Sequence, residues 1–561
     1  MRIRKVKLWL AMMLATTMLL AACSEQQPQN VESGTNSGSS GKSEAPVQLT
    51  WFSDVSGWNP PSTWNVDPNT VTGVITEKTG LTFTFDIPAQ DAGTKLSLAL
   101  VSNNKLPDIM SITDRTLIKK LIDADKVWKL DEFLQQYSPS SPLFDTFPED
   151  IKQALIERDG GWYVYPSHMD SLDAREIYPP SSEYYSDAAK YRSNGAIMFN
   201  EEIMEMAGLT VDDLRTEDDV MAAFEKVKGL TYNGAPIIPL QIDGKSYYNT
   251  TLGTLQAMFG AMPVDKNGNY RDMILAPETK HAIEFLNKAY KNGYLDPGQM
   301  TIDVAAVKES VKSGRVFAFI GNTANTGFTD ENAAASWVSP GPLLSNQGTK
   351  PVMGRSMKAG TGWMNTLISK SAEHPERIVK WLEFMSSHEG MLLHYYGFEG
   401  IGYTFDENGH VVQTEHGLKD AAEYSTTGVF AFWPFHHIAW HDYATAAPTS
   451  TRGADSTMAM QVQTAFGKEA VIYDSSPLQM PSDFIPAGSK LATAQLEIET
   501  FVKSQVSSMI MAEDEATFNQ LYDDMIKRIK EIGQDEIDTK INEQFHKQQE
   551  LFGVKLVGIN S

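Results

Sequence analysis

The order of local signals along the chain predicts an α/β protein of two or more lobes. Two observations carry this expectation. Strand-like runs alternate with amphipathic helical ones, which is the pattern of βαβ units around a parallel sheet. The length, 561 residues, is also far more than one hydrophobic core organises, so the chain must divide.

The elements follow in order. Val47 to Val55 reads as a strand running into a turn, and TGVITEKTG as a helix with Val74 and Ile75 that closes at Gly80. LTFTFD alternates strictly, with Leu81, Phe83 and Phe85 on one face and Thr82, Thr84 and Asp86 on the other, a strand with one covered face. A helix with Leu96, Leu98, Leu100 and Val101 follows, then LPDIMSITD, a short apolar strand entered through Pro107. The pattern resumes with GAIMFN (Gly195 to Asn200) as a buried strand and EEIMEMAGL as a helix stopped by Gly208. Thr216 offers an N-cap with Asp219 three residues on, ahead of the apolar stripe Val220, Phe224 and Val227. Ile283, Leu286, Ala289 and Tyr290 share one side of another helix. Gly314 to Asn322 is too apolar for a half-exposed strand and belongs in a sheet centre. Pro375 starts a helix carrying Ile378, Trp381, Leu382 and Met385, and Phe518, Leu521, Tyr522, Met525, Ile529 and Ile532 mark a long late one.

The first residues carry a different kind of signal. Arg2, Arg4, Lys5 and Lys7 precede an uncharged run from Leu8 to Leu20, about the length of a signal-peptide core and too short for a stable membrane anchor. It ends in Leu20-Ala21-Ala22-Cys23, which resembles the bacterial lipobox. This predicts export, cleavage before Cys23 and lipid on that thiol, so that the body is held at the extracellular face of the cell membrane through lipid alone. Ser24 to about Pro46 is mostly Ser, Gly, Gln and Asn, the composition of a flexible tether. Cys23 is the sole cysteine, so no disulfide is expected.

Charge narrows the partners. A net charge of −24 argues against nucleic acid, which requires a basic face, and against adhesion to anionic lipid by charge. DKNGNY and DENGHV each carry an Asn-Gly pair and read as tight turns. Asp265, Asn267 and Asn269 offer oxygens at alternate positions, but a calcium loop ends in a bidentate acid about twelve residues in, where Ala276 stands. His437 and His441 with Asp442 could suggest a metal, yet a third ligand is not evident, and polar helix surface is the preferred reading. No cofactor or metal is expected. Motifs of a zinc hydrolase, a serine nucleophile elbow and a phosphate loop are all missing from the sequence.

Five stretches resemble, in order, those of the bacterial extracellular solute-binding proteins of the maltodextrin and oligosaccharide type, and more narrowly the large lipoproteins of Paenibacillus-like ABC importers. They are KLPDI (Lys105 to Ile109), VWKLDEFLQQYSP, GGWYVYP (Gly160 to Pro166), SGRVFAFIGN and HPERIVKWLEFMSSHEGMLLHYYGFEG. The resemblance implies two hinged lobes, each a mostly parallel sheet flanked by helices, joined by crossover strands. It divides the chain into a leader (1–22), a tether (23–46), first-lobe parts at 47–165 and 339–397, and second-lobe parts at 166–338 and 398–561. It implies a monomer that captures a carbohydrate between the lobes and delivers it to the permease subunits of an ABC transporter, without catalysis. An exported carbohydrate-active enzyme and a surface lipoprotein without a small ligand are the alternatives.

Sugars are held by aromatic faces and planar polar side chains. Trp433 and Trp440 lie in the densest aromatic segment, Phe430 to Tyr443, and Trp162, Tyr163 and Tyr165 on the inferred crossover. Asp54 and Trp58 follow the first strand, where the family places ligand contacts. Asp114 and Arg115 follow the PDI strand, near where an Asp-Arg pair of maltodextrin-binding relatives bonds sugar hydroxyls; the spacing here is one residue shorter. Trp363, beside Gly360 and Gly362, completes the candidates. For Asp54 and Asp114, helix N-capping is the competing role.

Overall fold

The structure, a computed structural model, describes residues 45–561 except 103, 329–334, 358–361, 449–453, 482–483 and 487. Residues 46–561 form one compact unit. Within it, the strands sort into two principal sheets, each with its own core.

The first sheet has the order β2-β1-β3-β12-β4, made of Leu81–Asp86, Val47–Ser53, Ile109–Ile112, Asn365–Ile368 and Tyr165–Pro166. β1 lies parallel to both β2 and β3, while β12 runs antiparallel to β3 and β4. The alternating LTFTFD segment is an edge strand, with Leu81 and Phe83 buried and Thr84 exposed, and the continuously apolar β3 sits centrally and is buried throughout. Position in the sheet thus follows from the period of the apolar residues. The second sheet has the order β10-β5-β9-β8: Trp337–Val338, Gly195–Asn200, Val316–Asn322 and Ile238–Ile242. β9 is central, parallel to β8 and antiparallel to β5, and Val316 to Gly321 are buried. Three small ribbons complete the strands: β6–β7 (Thr231–Tyr232, Ala235–Pro236), β11–β15 (Val352–Arg355, Val471–Asp474) and β13–β14 (Tyr403–Phe405, Val411–Gln413).

The two-lobed α/β architecture is the expected one, but pairing in each sheet is more mixed than "mostly parallel" conveys. Strands that arrive from the other lobe enter antiparallel, because a returning chain needs no helical crossover to pair with its neighbour.

Local chemistry accounts for the helix ends. Asp219 and Thr216 form a reciprocal capping box at Glu217–Val227. Gly80 and Gly208 close their helices in the left-handed region, and Pro375 occupies the first turn of Pro375–Ser386. Both Asn-Gly segments are turns: Asp265 and Asp406 each accept backbone N–H groups two and four residues on, at 2.8–2.9 Å. Among the described residues no group of side chains is arranged to hold a metal, and no helix is long and apolar enough to cross a membrane.

The division between lobes differs from the expected one at three places, the first of them Met169, which packs in the first core although 166–338 reads as second lobe. Leu343 and Met353 pack in the second core, although 339–397 reads as first lobe. Val429, Ala431, Phe432 and Phe435 pack in the first core, although 398–561 reads as second lobe. The second crossing therefore falls between Arg355 at the end of β11 and Asn365 at the start of β12. A further crossing follows residue 448, before the helix Ala454–Glu469, whose Val462 and Phe466 join the second lobe. Crossing segments carry no apolar period, so sequence pattern does not mark them.

Candidate functional site

The C-terminal ends of β1 and β3 and the start of β12 meet at one edge of the first sheet. Open α/β sheets bind ligands beyond such strand ends. Asp54, just after β1, accepts the Thr113 N–H at 3.0 Å, the Thr113 hydroxyl at 3.1 Å and the Asp114 N–H at 2.9 Å. Asp114 in turn caps the helix Arg115–Asp123, accepting N–H groups of Thr116 and Leu117. Both carboxylates therefore shape the turn after β3, the capping role weighed against ligand contact. Arg115 is exposed on the first turn of that helix, and its pKa is lowered by desolvation and then by the Arg158 guanidinium. Arg158 is itself buried and forked onto Asp159 at 2.8 and 2.6 Å, with a further bond to Asn365 at 3.2 Å.

Asn365 carries this network to the crossover. Its amide donates to the carbonyls of Ile112 and Trp363. Gly362 has φ +72°, and a Cβ there would lie 1.8 Å from the Ser167 carbonyl oxygen. Only glycine lets the two crossing segments approach this closely. The neighbouring Trp363 is 47% exposed. Its ring lies 6.4 Å from that of half-buried Trp433 at 37°, and 6.0 Å from the His168 ring. Trp433 also packs against Tyr424 at 5.8 Å. An open indole and a half-buried one thus stand near each other where the chain crosses between lobes. Nearby His168 and Phe430 both hold positive φ, +55° and +64°, and their rings flank His436 at 5.5 and 4.4 Å. Strained backbone of this kind persists where surrounding packing over-determines it.

The remaining aromatic candidates are packing residues in this structure, which corrects their placement as ligand contacts. Trp58 has no exposed surface and donates its indole N–H to the Ala431 carbonyl at 2.8 Å. Trp162 is buried against Phe147 with its N–H on the Val164 carbonyl. Tyr165 is buried beside Phe435, 5.3 Å between rings. Trp440 has no exposed surface and packs on Tyr395 and Tyr396. None of these four rings presents a face on which a sugar could stack. Tyr163 is half-buried against Gly161 at the edge of the first core. His437 is not helix surface: it is buried, and its Nδ1 accepts the Trp440 N–H at the start of Ile438–Ala444. Cys23 lies outside the described residues.

A cluster that sequence reasoning missed lies at the lobe junction. Asp170 and Arg175 follow β4, Arg192 precedes β5, and Arg355 ends β11. Asp170 accepts from Arg175 Nε at 2.6 Å and Arg355 Nη2 at 3.2 Å. Arg175 also pairs at 2.9 Å with Asp442, which has no exposed surface. No local pattern could have found it, because its members are scattered from position 170 to 442.

Comparison with known proteins agrees with this architecture. The family described as bacterial extracellular solute-binding protein matches residues 67–392. No curated protein sequence gives a significant match. Among solved structures, the Streptococcus pneumoniae ABC-transporter substrate binding protein FusA in complex with kestose has TM-score 0.67 and 14% identity, covering 90% of this chain and 100% of that one. A human-milk-oligosaccharide (HMO) binding solute-binding protein of Bifidobacterium longum infantis has TM-score 0.63 and 14% identity, covering 89% and 98%. The N-glycan transport solute binding protein NgtS of Streptococcus pneumoniae has TM-score 0.58 and 12% identity, covering 90% and 99%. At such identities the likeness speaks for the fold. The family match spans more than half of the chain, and the chain is a member of the bacterial extracellular solute-binding proteins.

Proposed function

We propose that this protein captures a carbohydrate, an oligosaccharide, between its two lobes and hands it to the permease subunits of an ABC importer, acting as a monomer without chemistry of its own. The observation that carries the reading is the indole pair of exposed Trp363 and half-buried Trp433 at the crossover, next to Asn365. Flat apolar rings next to planar hydrogen-bonding groups suit the alternating apolar faces and hydroxyl edges of pyranose rings. The family supports it, as do similar folds whose descriptions name kestose, milk oligosaccharides and N-glycans. A ligand drives closure only in so far as it binds the closed form more tightly than the open one, so it must touch both lobes.

The same reading places the body outside the cell, tethered by lipid on Cys23. Replacing Cys23 with Ala should abolish metabolic labelling with palmitate and release the protein to the medium; unchanged membrane retention would refute the anchor. For binding, the full chain should be melted in the presence of an oligosaccharide panel and its scattering compared with and without the best member. Stabilisation with compaction and no turnover is expected. Turnover of the sugar would favour the enzyme alternative, and no stabilisation by any sugar would sink the reading.

A further inference from the structure

Three guanidinium groups converge at the lobe junction on a cavity of about 320 Å³, within the usual size range of small-ligand sites and suited to one sugar ring. Arg175, Arg192 and Arg355 line it together with Asp170, Asn194 and Ser356. Two carboxylates face these three cations. Asp170 takes Arg175 and Arg355, and Asp442 takes Arg175 and stands 4.0 Å from Arg192. Among the described residues, one positive charge is left without a carboxylate. Among the described residues, too, Arg175 Nη1 and Nη2 and Arg192 Nε are buried without a hydrogen-bond acceptor, and Asp442 Oδ2 without a donor, so the 2.9 Å contact of Arg175 with Asp442 is an ion pair and not an aligned hydrogen bond. His441 lies 3.2 Å from Asp442 and brings no anion. An adjoining cavity of about 230 Å³ shares Asp170, Arg175 and Arg355 and adds Lys190, a further cation.

A buried guanidinium with idle donors is costly unless an anion meets it. Burial lowers the Arg355 pKa first, and Arg175 and Arg192 add to this against Asp170. A planar carboxylate fits the guanidinium fork with two parallel hydrogen bonds and carries the single charge required. We propose that the arginine cluster of Arg175, Arg192 and Arg355 is a subsite for the carboxylate of a uronic acid residue, so that the captured oligosaccharide is acidic. This rests on the sugar-binding reading above. The segments bearing these arginines lead into both lobes, so a carboxylate seated among them is placed to couple binding to closure.

The test uses the purified full chain and calorimetry with three probes: a galacturonate trimer, a mannuronate trimer and a xylotriose carrying glucuronic acid. Each is paired with its carboxyl-reduced, uncharged form. At least one acid should bind about ten-fold or more tighter than its reduced partner, with the advantage shrinking as salt rises. Arg192→Gln and Arg355→Gln should each remove the advantage, so that an acid and its reduced partner bind about alike. Should the Gln variants fail to fold, Arg355→Lys keeps the charge without the fork and should retain only part of the preference. Reduced forms that bind as tightly as the acids overturn the subsite and leave sugar capture standing, as does an acid preference untouched by Arg355→Gln or Arg355→Lys. Failure of every acidic and neutral sugar to bind overturns sugar capture itself.

Discussion

The two lobes share an architecture but not a core. The first is built on indoles: Trp51, Trp58, Trp162 and Trp381 are all fully buried, and Trp51 alone lies 5.0–5.5 Å from Trp58, Phe83, Phe85 and Trp381. The second is built from Leu, Ile, Met and Phe, with Trp337 the one buried tryptophan among its described residues. An indole brings a donor into the core that usually finds a partner, although Trp381 Nε1 has none among the described residues. Trp51 uses the Ser111 hydroxyl and Trp58 the Ala431 carbonyl, so each fixes a segment from a different part of the chain. Aliphatic packing makes no such demand. Tryptophan content near turns therefore reports core construction in this protein more often than ligand contact.

Buried histidines divide along the same line. In the first lobe, burial holds His168 near 4 and His394 and His437 near 3. In the second, burial opposes protonation of His281, but bonds to Glu217 and Glu284 outweigh it and raise its pKa to about 9.

The largest expected effect tests the indole core directly. Trp51→Ala or Trp381→Ala should cost about 3–5 kcal/mol in denaturant unfolding. A loss under about 1 kcal/mol would mean the first core is not organised around them.

Acid should separate the lobes next. An unfolded histidine titrates near about 6.5. Below that pH the unfolded first lobe takes up protons that the native one refuses. Its stability is therefore full above about 6.5 and falls toward about pH 4, by up to about 1.4 kcal/mol per pH unit for each such histidine. His281 keeps its proton across this range, and its contribution is lost as pH rises from about 6.5 through about 9. Tryptophan fluorescence, dominated by the first lobe, should lose its native signal at higher pH than amide protection is lost in the second. Simultaneous loss would contradict the contrast.

Asp538 sharpens it with the opposite sign. Burial, with Asp272 adding, raises its pKa to about 6. The folded state then holds a proton that the unfolded state releases, so this site strengthens as pH falls from about 6 to about 4. Asp538→Asn should flatten that part of the stability profile, read by melting at pH 4.5 and 7. A profile identical to that of the parent would refute the assignment.

Smaller still, Trp58→Phe keeps a ring but orphans the Ala431 carbonyl, and should cost about 1–3 kcal/mol. At the end of the scale, Trp363→Ala should leave stability nearly unchanged, within about 1 kcal/mol for an open position, and Trp433→Ala, half-buried against the first core, should cost about 1–2 kcal/mol. Each should still weaken sugar binding by up to about ten-fold, the worth of a stacked ring. Equal affinity in both variants would remove the indole pair from the site.

Much of the fold was legible because it depends on short-range order. The period-two run Leu81 to Asp86 became an edge strand, the unbroken apolar run around Phe317 a central one, and Thr216 with Asp219 a capping box. Backbone hydrogen bonding and local burial act over a few residues, so a few residues reveal them. The candidate site was legible only in part. Trp363 was named and stands open, and Trp433 was named and is half-buried, whereas Trp58, Trp162, Tyr165 and Trp440 were named for the same aromatic character and are enclosed. Whether a ring faces solvent or core depends on what the distant chain lays over it.

By itself, then, the sequence determined an α/β chain of at least two lobes, strongly acidic, with its helices and strands largely in order. Tertiary structure alone decided where the chain crosses between lobes, which indoles remain open, and that Arg175, Arg192 and Arg355 converge. The physical reason is range: periodicity and capping are encoded between neighbours, while exposure and charge clustering arise between residues that only folding brings together.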